Sequence, residues 1–375
     1  MLNKHHSYNQ GPLPKGCQYC VIGSKLVVFI TGVCPRSCNF CPVSDEKYQL
    51  DKTFANERQV KTDEDLLKEA ELMQAKGAGI TGGDPLSRLE RTVKTIRLFK
   101  EKFGQKFHIH LYTSLNLVTE ETLKNLYEAG LDEIRFHLDL EKKDLWERLK
   151  LAKKFSWDTG IEVPLLTDKK EMLKEMLDFV HDKVDFVNLN ELEVADNSQS
   201  KLLEDGAETK DQLSYAVKGS LELGLGLLEY AKRYELPVHL CTAKLKDATQ
   251  LSERIKREAE GMKHSFDIVD EEGMLTRGAL YLNSLKPDFG YREKLGQIDK
   301  ESYSKKLEPL YERIKKKFQL ADEEILLDKE KPRILISKKL AKKKRHYFLE
   351  IGLKPAIVIE YPTADQLEIE VEFLE

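Results

Sequence analysis

Five of the six cysteines, Cys17, Cys20, Cys34, Cys38 and Cys41, fall within a window of 25 residues, and Cys241 stands apart. Disulfide frameworks belong to short secreted chains, so clustered thiols in a chain of 375 residues point to metal, either zinc or iron–sulfur. Cys34-Pro35-Arg36-Ser37-Cys38-Asn39-Phe40-Cys41 is a C-x3-C-x2-C run with an aromatic residue before its last thiol. Three thiolates can each hold one iron of a cubane and leave the fourth iron open, as a substrate-binding cluster requires. A structural zinc needs four closed ligands, and no fourth cysteine or histidine follows at fitting spacing.

Gly16-Cys17-Gln18-Tyr19-Cys20 adds a C-x2-C pair. It can supply two ligands to a second iron–sulfur cluster or a zinc, or act as a redox pair. Cys241 is the thiol left to join it. That requires its strand, Val238-His239-Leu240-Cys241, to run antiparallel beside the first strand. A parallel course places Cys241 at the opposite end, as a small buried hydrophobe.

The elements that must position these thiols alternate in type. Strand-like runs cover Lys25–Thr31, Gly79–Thr81, Phe107–Tyr112, Glu133–Asp139, Gly160–Leu166 and Val184–Asn190. Helix-like runs cover Asp63–Lys76, capped by Thr62, then Glu90–Phe103, Glu120–Glu128 capped by Thr119, Lys143–Lys154 and Lys169–His181. Strands joined by short crossover helices make a parallel sheet. Six are too few for a closed eight-stranded barrel, so the expected fold class is α/β, an open partial (βα)6 barrel; a flat doubly wound sheet is the alternative. A helix near Lys210–Tyr234, strand Pro237–Cys241 and helix Ala248–Gly261 follow. From Ser265 the chain is strand-rich around a helix at Lys300–Phe318, which predicts a small C-terminal α+β domain. The expected organisation is an N-terminal segment 1–24 with the C-x2-C, a barrel and its following helices over 25–262, and the C-terminal domain over 263–375.

The thiol run sits directly after the first strand, at the strand end where ligands collect in parallel α/β folds. Its spacing resembles that of the radical S-adenosylmethionine (SAM) superfamily. After the second strand, Gly82-Gly83-Asp84-Pro85 looks like that family's Gly-Gly-Glu-Pro motif, with Asp84 for the usual glutamate. Leu138-Asp139-Leu140 resembles the Leu-Asp-Leu-Lys of pyruvate formate-lyase activating enzymes, with Glu141 where the lysine would be. Residues 25–195 carry the likeness. It is nearest the archaeal-type set described as related to those activating enzymes.

The resemblance implies that Cys34, Cys38 and Cys41 ligate a [4Fe-4S] cluster and that Phe40 packs near the adenine of SAM. It also implies that Gly82, Gly83 and Asp84 hold the SAM ammonium. Thr113 and Ser114 end the third strand and can meet the ribose or carboxylate. On the fourth strand period-2 alternation sets Arg135, His137 and Asp139 on one face, expected to point inward to a polar ligand. The same inward reading applies to His108, His110 and Tyr112, and to Asn188 and Asn190. Reductive cleavage of SAM to a 5′-deoxyadenosyl radical is the implied activity. It needs an electron donor such as ferredoxin or flavodoxin, and its substrate is a protein, as in glycyl-radical activation, or an RNA or small molecule.

Lys+Arg 61 against Asp+Glu 65 leaves a net charge of −4, which gives no global electrostatic case for nucleic acid or membrane. No apolar run approaches the ~20 residues of a membrane span. Residues 1–14 carry no apolar stretch like a signal peptide, so a cytoplasmic protein is expected. His5-His6 and the basic run Lys338–Arg345 read as solvated surface, and Gly219, Gly224 and Gly226 lack the strand that a phosphate loop would follow.

Overall fold

The computed structural model describes residues 2–375. They form two compact units, the first ending at Arg254 and the second spanning Ile255–Glu375. The division falls within the residues of the helix Ser252–Met262.

In the first unit the strands are β1 (Tyr8–Gln10), β2 (Lys25–Phe29), β3 (Phe54–Ala55), β4 (Arg58–Gln59), β5 (Gly77–Thr81), β6 (His108–Ser114), β7 (Glu133–His137), β8 (Asp158–Pro164), β9 (Phe186–Asn190) and β10 (Val238–Cys241). They make one sheet in the order β1-β10-β9-β8-β7-β6-β5-β2-β3-β4. From β2 to β10 through β5–β9 every pairing is parallel, while β1 and β3 flank the set antiparallel. The six expected strands are all present in an open α/β partial barrel, and β10 extends them by a seventh parallel strand.

Helices α1 (Lys15–Cys20), α2 (Asp63–Leu72), α3 (Leu89–Phe103), α4 (Glu120–Glu128), α5 (Leu149–Ala152), α6 (Lys170–Val180) and α7 (Ser220–Ala231) accompany the strands. Thr119 caps as expected, its Oγ1 accepting from the Thr122 amide at 3.1 Å; Thr62 occupies the cap position of its helix, but the bond there runs back from the helix, Asp65 accepting from the Thr62 amide at 2.9 Å. The helix expected near Lys210–Tyr234 is shorter. It starts only at Ser220, after Gly219 with φ +85°, a left-handed backbone that ends the preceding loop. The run Lys143–Lys154 is helical only in short turns, Trp146–Arg148 and α5.

Side-chain alternation sorts the barrel into two environments. Ile109, Leu111, Ile134, Phe136, Ile161, Val163, Val187, Leu189, Val238 and Leu240 are buried in one core with Ile96, Phe99, Leu123, Leu177 and Leu227 of the helices. At ~1.5–3 kcal/mol per fully buried large apolar side chain, this outer layer is the main source of the barrel's stability. The intervening residues of the same strands are mostly polar, Gly160 and Phe186 apart, and meet one another on the inner face.

The second unit is a sheet of six strands: β11 (Ile268–Val269), β12 (Leu275–Leu282), β13 (Ile325–Asp328), β14 (Arg333–Ile336), β15 (Leu353–Glu360) and β16 (Glu368–Phe373). Its main path is β13-β14-β12-β15-β16, all antiparallel. The helix Lys300–Phe318 supplies Leu307 and Ile314 to its core.

Candidate active site

The thiol loop leaves the carboxyl end of β2 under tight backbone constraint. Gly83 N donates to Thr31 O at 2.7 Å and Asp84 N to Val33 O at 2.9 Å, which bolts the glycine turn after β5 to the start of the loop. A Cβ on Gly83 would stand 2.5 Å from Gly32 O and 2.6 Å from Val33 O, so glycine is required by close approach. Gln49 holds Cys34 from the other side, donating from Nε2 to its carbonyl at 3.1 Å. Arg36 reaches β7, pairing with Asp139 at 3.1 Å and donating to His137 O at 3.4 Å.

Cys34, Cys38 and Cys41 then line one cavity of about 640 Å³, a size suited to a small-molecule ligand. Gly82, Gly83, Thr113 and Ser114 line it from β5 and β6, and Arg135 and His137 from β7. Phe40 closes it with its ring 5.8 Å from that of His137, packed against Leu192 and Leu202. Burial pushes the Cys34 thiol up to about 11, against the Arg36 backbone N–H, which lowers it; binding iron there means displacing a proton. Burial and the Arg36 guanidinium push the His137 imidazole down to about 3, so it is neutral.

Two residues expected in this cavity are elsewhere. Asp84 is buried behind the turn, and its carboxylate accepts from Thr113 Oγ1 at 2.7 Å, Ser114 Oγ at 2.7 Å, Ser114 N at 3.1 Å and Leu86 N at 3.1 Å. Those donors use up its acceptor sites, so it braces β5 against β6 instead of facing the cavity. Asp139 lies behind the thiol loop, where Arg36 and the amides of Glu141 and Lys142 hold it. The β-strand ends after His137, which turns Asp139 away from the inward row.

The second cysteine group also departs from expectation. α1 enters the barrel's interior, and Gly16 N donates to Glu133 Oε2 at 2.8 Å. Cys17 Sγ is 3.4 Å from Arg135 Nη2 and 4.0 Å from Asn188 Oδ1. Cys241 packs with Val21 and Leu245 on strand β10, which is parallel to β9. The antiparallel course on which Cys241 would join a metal site is therefore not taken. Burial pushes Cys17 up to about 12 and raises Cys20 and Cys241 as well, favouring protonated thiols. Even on this parallel strand Cys241 lies within electrostatic reach of Cys17 and Cys20, which after burial raise it further, because α1 rises into the barrel instead of stopping below it.

The inward polar row forms a continuous network. Arg135 donates to Glu133 at 2.6 Å and to Glu162 at 2.6 Å. Glu162 accepts from Asn190 at 3.0 Å, Asn190 from Asn188 at 3.2 Å, and Asn188 Oδ1 is 2.6 Å from His239 Nδ1. His110 Nε2 is 2.8 Å from the Tyr112 hydroxyl. Sequence reasoning missed Glu162, although it is the one charged residue in the apolar stretch 160–166. It also missed Glu191 and Glu193, which line the cavity from the loop after β9, and Lys246, which does so from the helical turn after β10.

Among the described residues no three His, Cys, Asp or Glu side chains converge for a single metal ion. A cubane asks for something different, one thiolate on each of three irons. Three thiols spread along one loop over a roomy cavity, with a glycine turn beside them, fit that group together with a small ligand.

Comparison with known proteins agrees. Residues 28–180 match the family model of the radical SAM superfamily. A Methanocaldococcus jannaschii protein, provisionally named a glycyl-radical enzyme activating enzyme, is 34% identical over 98% of this chain and 95% of its own length. Methylornithine synthase aligns at 14% identity over 59% of this chain and 71% of its own, with TM-score 0.37. HydG, a maturase of the [FeFe]-hydrogenase, aligns at 14% over 65% of each chain with TM-score 0.40. Both likenesses are too slight to carry an inference about this chain. From the thiol loop, the glycine turn and the full-length relative, this chain belongs to the radical SAM superfamily, enzymes that cleave S-adenosylmethionine reductively at a [4Fe-4S] cluster.

Proposed function

We propose that this enzyme is an activase, which directs that chemistry at the backbone of a partner protein, as in glycyl-radical activation. The observation that carries the reading is the extent of the match to the activating-enzyme relative, which covers 98% of this chain and so includes the second unit as well as the SAM core.

In this reading Cys34, Cys38 and Cys41 hold the cluster, which supplies an electron to SAM when both are bound. Gly82 and Gly83 offer backbone without side chains to the SAM ammonium, and Thr113 and Ser114 border the same end of the cavity. Phe40 packs its ring against that of uncharged His137, and the two rings together shield the reacting end from water. Arg135, fixed by Glu133 and Glu162, presents a rigid charge. A ferredoxin- or flavodoxin-type protein delivers the electron.

The reading is tested anaerobically, with the reconstituted chain, SAM, dithionite and fractionated cell extract. A protease-sensitive fraction that stimulates 5′-deoxyadenosine formation and acquires a glycyl-radical electron paramagnetic resonance (EPR) doublet is expected. Stimulation confined to RNA or small-molecule fractions overturns the activase reading. Cys38→Ala should abolish 5′-deoxyadenosine formation and lower bound iron, because three-point attachment is lost; near-normal formation would refute the cluster assignment itself.

A further inference from the structure

The thiol loop is held unequally along its length. Its first half hangs on Gln49, the glycine turn and Arg36. Its second half, with Cys38 and Cys41, meets a segment that the sequence marks only as polar, residues 191–219 between β9 and α7. This segment is ordered by its own bridges, Glu193 to Ala216 and Thr209 to Val217. Asn197 is its point of attachment. Its Nδ2 donates both hydrogens, one to Cys41 O at 3.0 Å and one to Val43 O at 2.9 Å, spanning Pro42. Its Oδ1 accepts from Ser200 N at 2.7 Å and Gln199 N at 3.1 Å, which fixes which way the amide points. Ser198 Oγ donates to Asp45 at 2.7 Å on one side. On the other, Lys201 N donates to Asn39 O at 2.6 Å, and Asn39 Nδ2 to Asp205 at 2.8 Å.

We infer that Asn197 is a positioning residue for the iron–sulfur cluster, and that segment 191–219 is the clamp through which it sets the Cys38–Cys41 half of the loop. Neither residue 197 nor its neighbours supply a ligand. The amide instead pins two carbonyls that flank a proline, on a stretch that would otherwise present free backbone oxygens and let its two thiols wander. The inference concerns the cluster and does not depend on the identity of the substrate.

Differential alkylation of the metal-free full chain reads the clamp without any cofactor. In Asn197→Ala, Cys38 and Cys41 should react with iodoacetamide about tenfold faster than in the parent, as expected for loss of two hydrogen bonds that oppose local opening. Cys34 should react at the parent rate. Asn197→Asp, which keeps the size but cannot donate, should behave like Asn197→Ala. After anaerobic reconstitution the Asn197→Ala chain should lose iron to a chelator faster and give an altered EPR signal for the reduced cluster. Parent-like alkylation rates and EPR signal in Asn197→Ala would overturn the assignment, and so would full rescue by Asn197→Asp. If Asn197→Ala does not fold, by circular dichroism, Asp205→Ala removes the acceptor of Asn39 and reads the same clamp. Faster alkylation of Cys38 and Cys41 there supports the inference, and unchanged rates refute it.

Discussion

A carboxylate placed after two glycines can face either the ligand or the protein, and Asp84 faces the protein. Burial raises its carboxyl, while hydrogen bonds from Thr113, Ser114 and Leu86 pull the other way and hold the charged form. Asp84→Ala would leave those donors buried without an acceptor. It should lower the stability of the metal-free chain by about 1–3 kcal/mol, measured by urea unfolding. SAM affinity should fall with it, because Thr113 and Ser114 lose their anchor. A variant with parent stability but weakened SAM binding would return Asp84 to the ligand. The motif itself was legible in the sequence, because residue type and spacing are set by chemistry. Which way Asp84 points was not, since that depends on Thr113 and Ser114 arriving from another strand. The same limit hid Asn197, a lone polar residue in a polar stretch whose partners lie about 155 residues earlier.

The strands of the barrel were readable because apolar alternation fixes both their existence and their inward faces. α1 was not, for it is a six-residue helix with no apolar period, and its burial follows from what it meets inside the barrel. A Cβ on Gly16 would stand 2.5 Å from Arg135 Nη2 and 2.6 Å from His110 Nδ1, so the fit there allows no side chain. At the same inner end, Lys25 of β2 lies 2.8 Å from His108 Nδ1 and 2.6 Å from His108 O. Burial lowers the Lys25 ammonium from 10.5 to about 7, with Glu133 opposing. His108, pushed down to about 2 by burial and by the Lys25 charge, is neutral and can accept from it. A lysine whose folded pKa lies below its unfolded value makes the unfolded chain bind the extra proton between those values. Its contribution to stability therefore rises with pH from about 7 towards 10.5. The difference in urea midpoint between the parent and Lys25→Met should grow in the parent's favour across that window. Two parallel pH profiles would show that Lys25 keeps its ordinary pKa. Glu133 remains compensated in the variant by Arg135 at 2.5 Å.

Two units with separate cores make the molecule's stability a property of each in turn. The second unit encloses charge as well as apolar side chains. Arg333 is buried, donating to Glu360 at 2.8 Å, Asp328 at 3.0 Å and the Tyr281 hydroxyl at 3.2 Å. Arg277 also meets Glu360, at 3.0 Å, and pairs with Asp267. Removing one member of such a set leaves buried carboxylates short of a cation, at a cost of about 3–5 kcal/mol. Arg333→Met should make residues 255–375 the earlier target in limited proteolysis, while the iron bound after reconstitution stays at the parent level. Loss of iron in step with proteolysis would mean that the two units unfold as one. That this unit is strand-rich around one long helix was legible in the sequence; that Ile325–Asp328 is one of its strands was not, since Asp328 at its end is held by Arg333 from the next strand.

The edge pairing of β1 with β10 has a consequence for how the protein is made. Ser7 meets His239 across 232 residues of chain, and Tyr8 pairs with Leu240. During synthesis α1 leaves the ribosome long before the strand that completes its housing, so the segment translated early is among the last to be placed. Contacts of such long separation form slowly and leave their parts open in the meantime. Cys17, buried in the finished molecule, and Cys20, half-buried there, are therefore bare thiols on the nascent chain for most of translation. Oxidation during that interval would strike a chain that has yet to assemble its barrel, and the yield of foldable protein should depend on how reducing its surroundings are while it is being built.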